Sequence, residues 1–144
     1  MLPKGYRYPA PKRIAKIKPA RIPSTLVPEK ETITLIQGRM PGSVEEWRMA
    51  MGLYKAGYIF EYQKPVLGGY LPGGQIIDFW ITSTYLPTPL YVNGKHWHSN
   101  GNIEEYKVAK LKKILRGYIR EPVVVWDYEL PSVDAAVIIA RRRV

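Results

Sequence analysis

The stretch Gln75-Ile76-Ile77-Asp78-Phe79-Trp80-Ile81-Thr82 (QIIDFWIT) decides the fold. Six of its eight residues are β-branched or aromatic, the composition of a strand. Alternation puts Ile76, Asp78 and Trp80 on one face and Ile77, Phe79 and Ile81 on the other. Pro72-Gly73-Gly74 and Gly68-Gly69 precede it as a turn region, so the aromatic-rich run Tyr58 to Lys64 reads as an antiparallel partner. After it, Pro87 and Pro89 mark another turn, and Leu90 to Asn93 (LYVN) reads as a third strand closed by Gly94.

Further outward the period changes from two to that of helices. Ser43 followed by Glu46 is a capping box, and the helix it opens carries Trp47, Ala50, Met51 and Tyr54 and stops at Gly57. Ile103 to Arg116 reads as a second helix, with Val108, Leu111 and Leu115 as its stripe and Gly117 as its stop. Val123 to Trp126 (VVVW) reads as a buried strand, parallel to the strand before the second helix. Ser132 caps a last helix through Ala140, and Arg141 to Arg143 sit at its favourable end. Thr32 to Ile36 is either a short edge strand or part of the preceding segment. The predicted class is α/β, an αβββαβ order with a central mixed sheet flanked by helices.

The 144 residues carry 22 Lys+Arg against 12 Asp+Glu, a net charge of +10. Residues 1–30 hold Lys4, Arg7, Lys12, Arg13, Lys16, Lys18, Arg21 and Lys30 against Glu29 alone, with six of the 13 prolines. Proline at this density blocks helix and central strand. We read an extended basic arm and lead-in over 1–42, suited to phosphates, followed by a folded domain over 43–144. Residues 31–144 are nearly balanced in charge. With no cysteine, a disulfide scaffold, thiolate zinc and a cysteine nucleophile are excluded. No run suits a membrane span or a secretory signal, so a soluble cytoplasmic protein is expected. No GxxxxGK[ST], GxGxxG or GxSxG pattern is present, so no nucleotide cofactor is expected.

Asp78 is the first candidate for chemistry, because a carboxylate amid Ile77, Phe79 and Trp80 is costly unless paired or bound to metal. Tyr91 to His98 (YVNGKHWH) holds both histidines, His96 and His98, beside Lys95. Either histidine suits a metal or an acid–base role, and coincidence explains the pair equally. Glu46, Glu104 and Glu105 sit near helix starts, where capping and the dipole also account for them. Glu61 and Gln63 share a face of the first strand. Such oxygen ligands suit Mg2+ or Mn2+ and phosphodiester hydrolysis.

The segments SVEEWRMAMGLYKAGYIFEYQ, GGQIIDFWI, PLYVNGKHWH and VVVWDYEL, in this order, resemble the PD-(D/E)XK nuclease superfamily over roughly 85 residues. The nearest branch holds the very-short-patch mismatch endonucleases and related phage and homing nucleases. The resemblance implies a metal-dependent DNA endonuclease in which Glu46 and Asp78 hold the metal, with the Val92 carbonyl as a further ligand. Ile77 replaces the family's proline before the aspartate. The family's ExK falls on Tyr91-Val92-Asn93, leaving Asn93 at the lysine position and no acid. Lys95, displaced by two residues, and His98, matching the branch's GxxWH histidine, are the implied substitutes. Glu104 or Glu105 matches an acid on the following helix. A chain this small leaves little room for sequence recognition, so resemblance implies a homodimeric Holliday-junction resolvase acting on branched or duplex DNA. The last helix and Trp126 are its candidate dimer surface. The alternatives are a nicking mismatch or homing endonuclease, a nuclease-fold protein that binds without cutting, and a basic RNA binder.

Overall fold

The computed structural model describes residues 31–94 and 101–144. Its order is α1 (Val44–Lys55), β1 (Phe60–Val66), β2 (Gln75–Ile81), β3 (Thr88–Asn93), α2 (Gly101–Ile114), β4 (Val123–Trp126) and α3 (Val133–Arg143). A short 3-10 turn, Asp127–Glu129, joins the last two. The strands form one four-stranded mixed sheet in the order β1-β2-β3-β4. β1, β2 and β3 make an antiparallel meander, and β4 lies parallel to β3. Parallel neighbours need a crossover, which α2 supplies. The protein is thus α/β, as the periodicity indicates.

Both predicted caps form. Ser43 Oγ accepts from Glu46 N at 3.0 Å, and Ser132 Oγ accepts from Ala135 N at 3.1 Å. Gly57 and Gly117 stop their helices with φ of +88° and +85°, conformations that cost glycine little.

The sheet divides two cores. Leu90 and Val125 face α1 and α3, where they pack with Trp47, Leu53, Phe79, Ala136 and Ile139. Their neighbours Tyr91 and Val124 face the other way, to Leu111, Val108 and Leu115 of α2. On the first side α1 and α3 approach closely: a Cβ on Gly52 would lie 2.5 Å from that of Ala136. Helix α3 therefore spends Ala136, Ile139 and Ala140 on this core, while Ile138 of the same helix is left exposed.

Two expectations need correction. The regular alternation of QIIDFWIT breaks at Asp78: Phe79 and Ile81 join the α1/α3 core, but Ile77 joins the α2 core together with Trp80. β1 changes face at the same level, with Tyr62 in the first core and Val66 against the second. The pairs Tyr62–Phe79 and Lys64–Ile77 bracket Gln63 and Asp78, and Gln63 has a left-handed φ of 55°. That local distortion turns both strands over.

The second correction concerns the lead-in. The folded unit begins at Ile33, not at residue 43. Ile36 is fully buried in the α1/α3 core, and Thr34 Oγ1 accepts from Trp47 Nε1 at 3.0 Å. Residues Ile36 and Arg39 exchange backbone hydrogen bonds across Gln37-Gly38. The segment is thus a tight turn rather than a strand along the sheet. Its Gln37 amide donates to Phe60 O at 2.7 Å and accepts from Tyr62 N at 2.9 Å. At the opposite border, Arg143 donates to Val124 O and Trp126 N donates to Glu129.

Candidate active site

Two elements, α1 and β2, set acidic side chains around Tyr62 of β1, at the break in alternation. On α1, the cap bond between Glu46 N and Ser43 fixes the start of the helix, while the Glu46 carboxylate turns away and accepts a short hydrogen bond from the Tyr62 hydroxyl. Only half of the predicted capping box is therefore used, and the carboxylate is committed to β1. The Tyr62 oxygen also accepts from Gly42 N at 3.1 Å. A Cβ on Gly42 would fall 2.9 Å from Glu46 Oε2, so a side chain there would displace the carboxylate.

On β2, Asp78 accepts from Val92 N at 2.8 Å. The β2–β3 pairing runs from Ile81–Thr88 to Phe79–Leu90, and the Asp78 side chain reaches β3 just beyond it. This is how the sheet tolerates a carboxylate in the middle of an apolar strand: the side chain satisfies a strand N–H at the point where the ladder ends. Val92 pairs onward with Val125, and Asn93 with Trp126.

The two carboxylates act on one phenol. Burial pushes the Tyr62 hydroxyl well above the usual tyrosine range, and its hydrogen bond to Glu46 pushes the same way. The negative charges of Glu46 and Asp78 add to the shift, while the Gly42 N–H opposes it. Tyr62 therefore stays a neutral donor, and the two carboxylates make a local concentration of negative charge in a basic chain.

No family model matches the chain, and no curated protein or solved structure matches it either.

The other candidates are distributed less uniformly. Glu61 points to solvent on β1 and pairs with Lys64 at 3.1 Å, away from the Tyr62 side. Gln63 accepts from Arg39 at 3.3 Å. Glu105 is exposed on α2. Tyr91, at the position where the resemblance expects an acid, is buried and donates to Gln75 at 2.8 Å on the α2 side. Lys95, His96, His98, the side chain of Glu104 and the arm residues Lys4, Arg7, Lys12, Arg13, Lys16, Lys18 and Arg21 lie outside what is described. Among the described residues no three Asp, Glu or His side chains form a metal-sized group. The pair Glu46 and Asp78 nonetheless fits a hard cation by donor type, and the Gly42 cradle leaves the Glu46 carboxylate its space.

Sequence reasoning missed Tyr62, Gly42 and Gln37. Tyr62 stands in the quoted run IFEYQ, but nothing in a strand pattern distinguishes a tyrosine that fills the core from one that holds a carboxylate.

Proposed function

We propose that the chain is a metal-dependent DNA endonuclease with a restriction-endonuclease-like αβββαβ core, acting on branched DNA such as four-way junctions. The observation that carries this reading is the Glu46 carboxylate of α1 bonded to Tyr62 of β1, with Asp78 of β2 anchored to Val92 N and its charge acting on the same phenol. The β1-β2-β3 meander with β4 parallel to β3 supports it, since that is the order the resemblance implies.

Glu46 and Asp78 would hold Mg2+ or Mn2+, which when bound supplies a low-pKa water and neutralises charge on the phosphate. The rest falls to the chain. Tyr62 fixes the Glu46 carboxylate, and the Val92 N–H fixes that of Asp78. His98 or Lys95 is assigned to orienting the attacking water, and the arm to gripping phosphates. A two-fold dimer would set two such sites on one junction.

The test is cleavage of four-way junctions, mismatched duplex and linear duplex with magnesium. Asp78→Asn is expected to lower the rate by at least about 10²-fold while binding persists. Normal cleavage by that variant overturns the assignment. A second reading, a nuclease-fold protein that binds DNA without cutting, is favoured by one observation: Tyr91 spends its hydroxyl on Gln75 in the core, so its position offers the site no acid. Junction binding by the wild-type chain with no product under any divalent metal would select it.

A further inference from the structure

The near balance of charge over residues 31–144 conceals a strongly basic element. Between Lys107 and Arg120 stand six basic residues and no acid. Helix α2 buries Leu111 and seals Val108 and Leu115 against the sheet. Helical geometry therefore sends Lys110 and Lys113, three residues apart, to the opposite side, with Tyr106 one turn before Lys110, and Arg116 follows in the turn that closes the helix. Lys113 and Arg116 are exposed, and neither meets a carboxylate among the described residues. Of the six, only Lys112 pairs with an acid among the described residues, Glu121 at 2.6 Å.

The stripe is joined to a second element. Lys110 Nζ donates to Gly73 O at 2.9 Å, which pins the β1–β2 turn beside α2. That turn is braced by backbone bonds from Gly69 N to Val66 O, Leu71 N to Gly68 O and Gly74 N to Leu71 O. At its tip Tyr70 is 81% exposed, and Tyr106 and Tyr118 are likewise open to solvent. Cations and exposed tyrosines thus occur together on one side of the fold.

We propose that the outer face of α2 and the adjoining β1–β2 turn bind the sugar-phosphate backbone of a DNA duplex. This lies across the sheet from α1 and α3, and it is additional to the arm. The helix dipole accounts for the cations at the C-terminal end, but not for Lys107 or Lys110. A lipid surface is a poorer match, because the apolar side that such a helix would insert is already used against the sheet. Lys110 to Lys113 spans about 4.5 Å at 1.5 Å per residue, and Arg116 lies two residues past the helix end. A DNA strand carries a charge about every 3.4 Å along the axis, so these cations match about one phosphate each.

The choice of DNA as partner rests on the reading above, but its catalytic part is not required. The test uses the full chain without divalent metal and measures anisotropy of a labelled duplex and a labelled four-way junction across a salt series. Lys113→Gln with Arg116→Gln is expected to flatten the salt slope by about two, one per lost phosphate contact. Lys113→Glu with Arg116→Glu is expected to weaken binding at least tenfold, with circular dichroism unchanged. An unaltered slope and affinity in both folded variants overturns the proposal. So does equal, variant-sensitive binding of polyglutamate, which would assign the stripe to an acidic protein. A wild-type chain that binds in this way yet never cuts sinks the endonuclease reading alone. Variants that bind and cut like wild type sink the α2 surface alone.

Discussion

The sheet is covered by α1 and α3 on one face and by α2 on the other, and the two coverings differ in kind. The first core buries sixteen residues, including Phe79, Met49, Leu53 and Ile36. Among the described residues the second buries Ile77, Tyr91 and Leu111, ringed by half-exposed neighbours. The first face also supplies Tyr62, which holds the Glu46 carboxylate, and Gly42, whose N–H bonds that tyrosine's oxygen. The second face carries lysines and arginine on its outside. Stability and precise positioning are concentrated on one side, leaving the other free to be shaped by surface charge.

The largest effect that tests this contrast is core truncation. Phe79→Ala is expected to cost about 3–5 kcal/mol in urea unfolding, and Leu111→Ala about 2–3, because the looser α2 core can relax around the gap. Equal costs would break the contrast. Next is Gly52→Ala. Its new methyl meets Ala136 Cβ at 2.5 Å and the Ala136 backbone at 2.7 Å, so neither helix can yield by moving a side chain. A loss of about 1–3 kcal/mol is expected, despite alanine's better helix propensity. No loss would mean that α1 and α3 are not in rigid contact.

The smallest effect sharpens the comparison at the site. Tyr62→Phe removes the bond to Glu46 and is expected to cost about 1 kcal/mol at neutral pH. Its pH dependence has a definite sign. The folded phenol titrates above the ordinary tyrosine value, so the unfolded chain releases this proton first. The stabilisation is complete below that value and drains as pH rises through the alkaline range. Alkaline unfolding curves should therefore separate wild type from Tyr62→Phe below that range and converge above it. A constant difference across the range would show that Tyr62 acts only by packing.

The elements were legible because their signals are local. Ser43, Ser132, Gly57 and Gly117 punctuate three helices by caps and left-handed turns, and QIIDFWIT and VVVW have no helical period. Asp78 was legible as an anomaly, an acid where burial penalises it. What stayed hidden depends on distant partners. Gln37 meets Tyr62 across 25 residues, and no spacing rule foretells that an amide will serve a strand border. The change of face at Gln63 and Asp78 was hidden too, since a non-glycine left-handed residue leaves no compositional mark. The α2 stripe escaped for another reason: charge averaged over residues 31–144 cancels, whereas the helix sorts it onto one side.

The side chains along the outer strands have a consequence for growth of the sheet. An open four-stranded sheet has two borders whose unpaired N–H and C=O groups invite another strand. Here Gln37 occupies the Phe60 and Tyr62 positions on β1, while Arg143 and Glu129 occupy Val124 and Trp126 on β4. Pro65 lies further along β1 and offers no N–H at all. Both ends of the sheet are thereby terminated from within, and edge-to-edge polymerisation is opposed without any added domain.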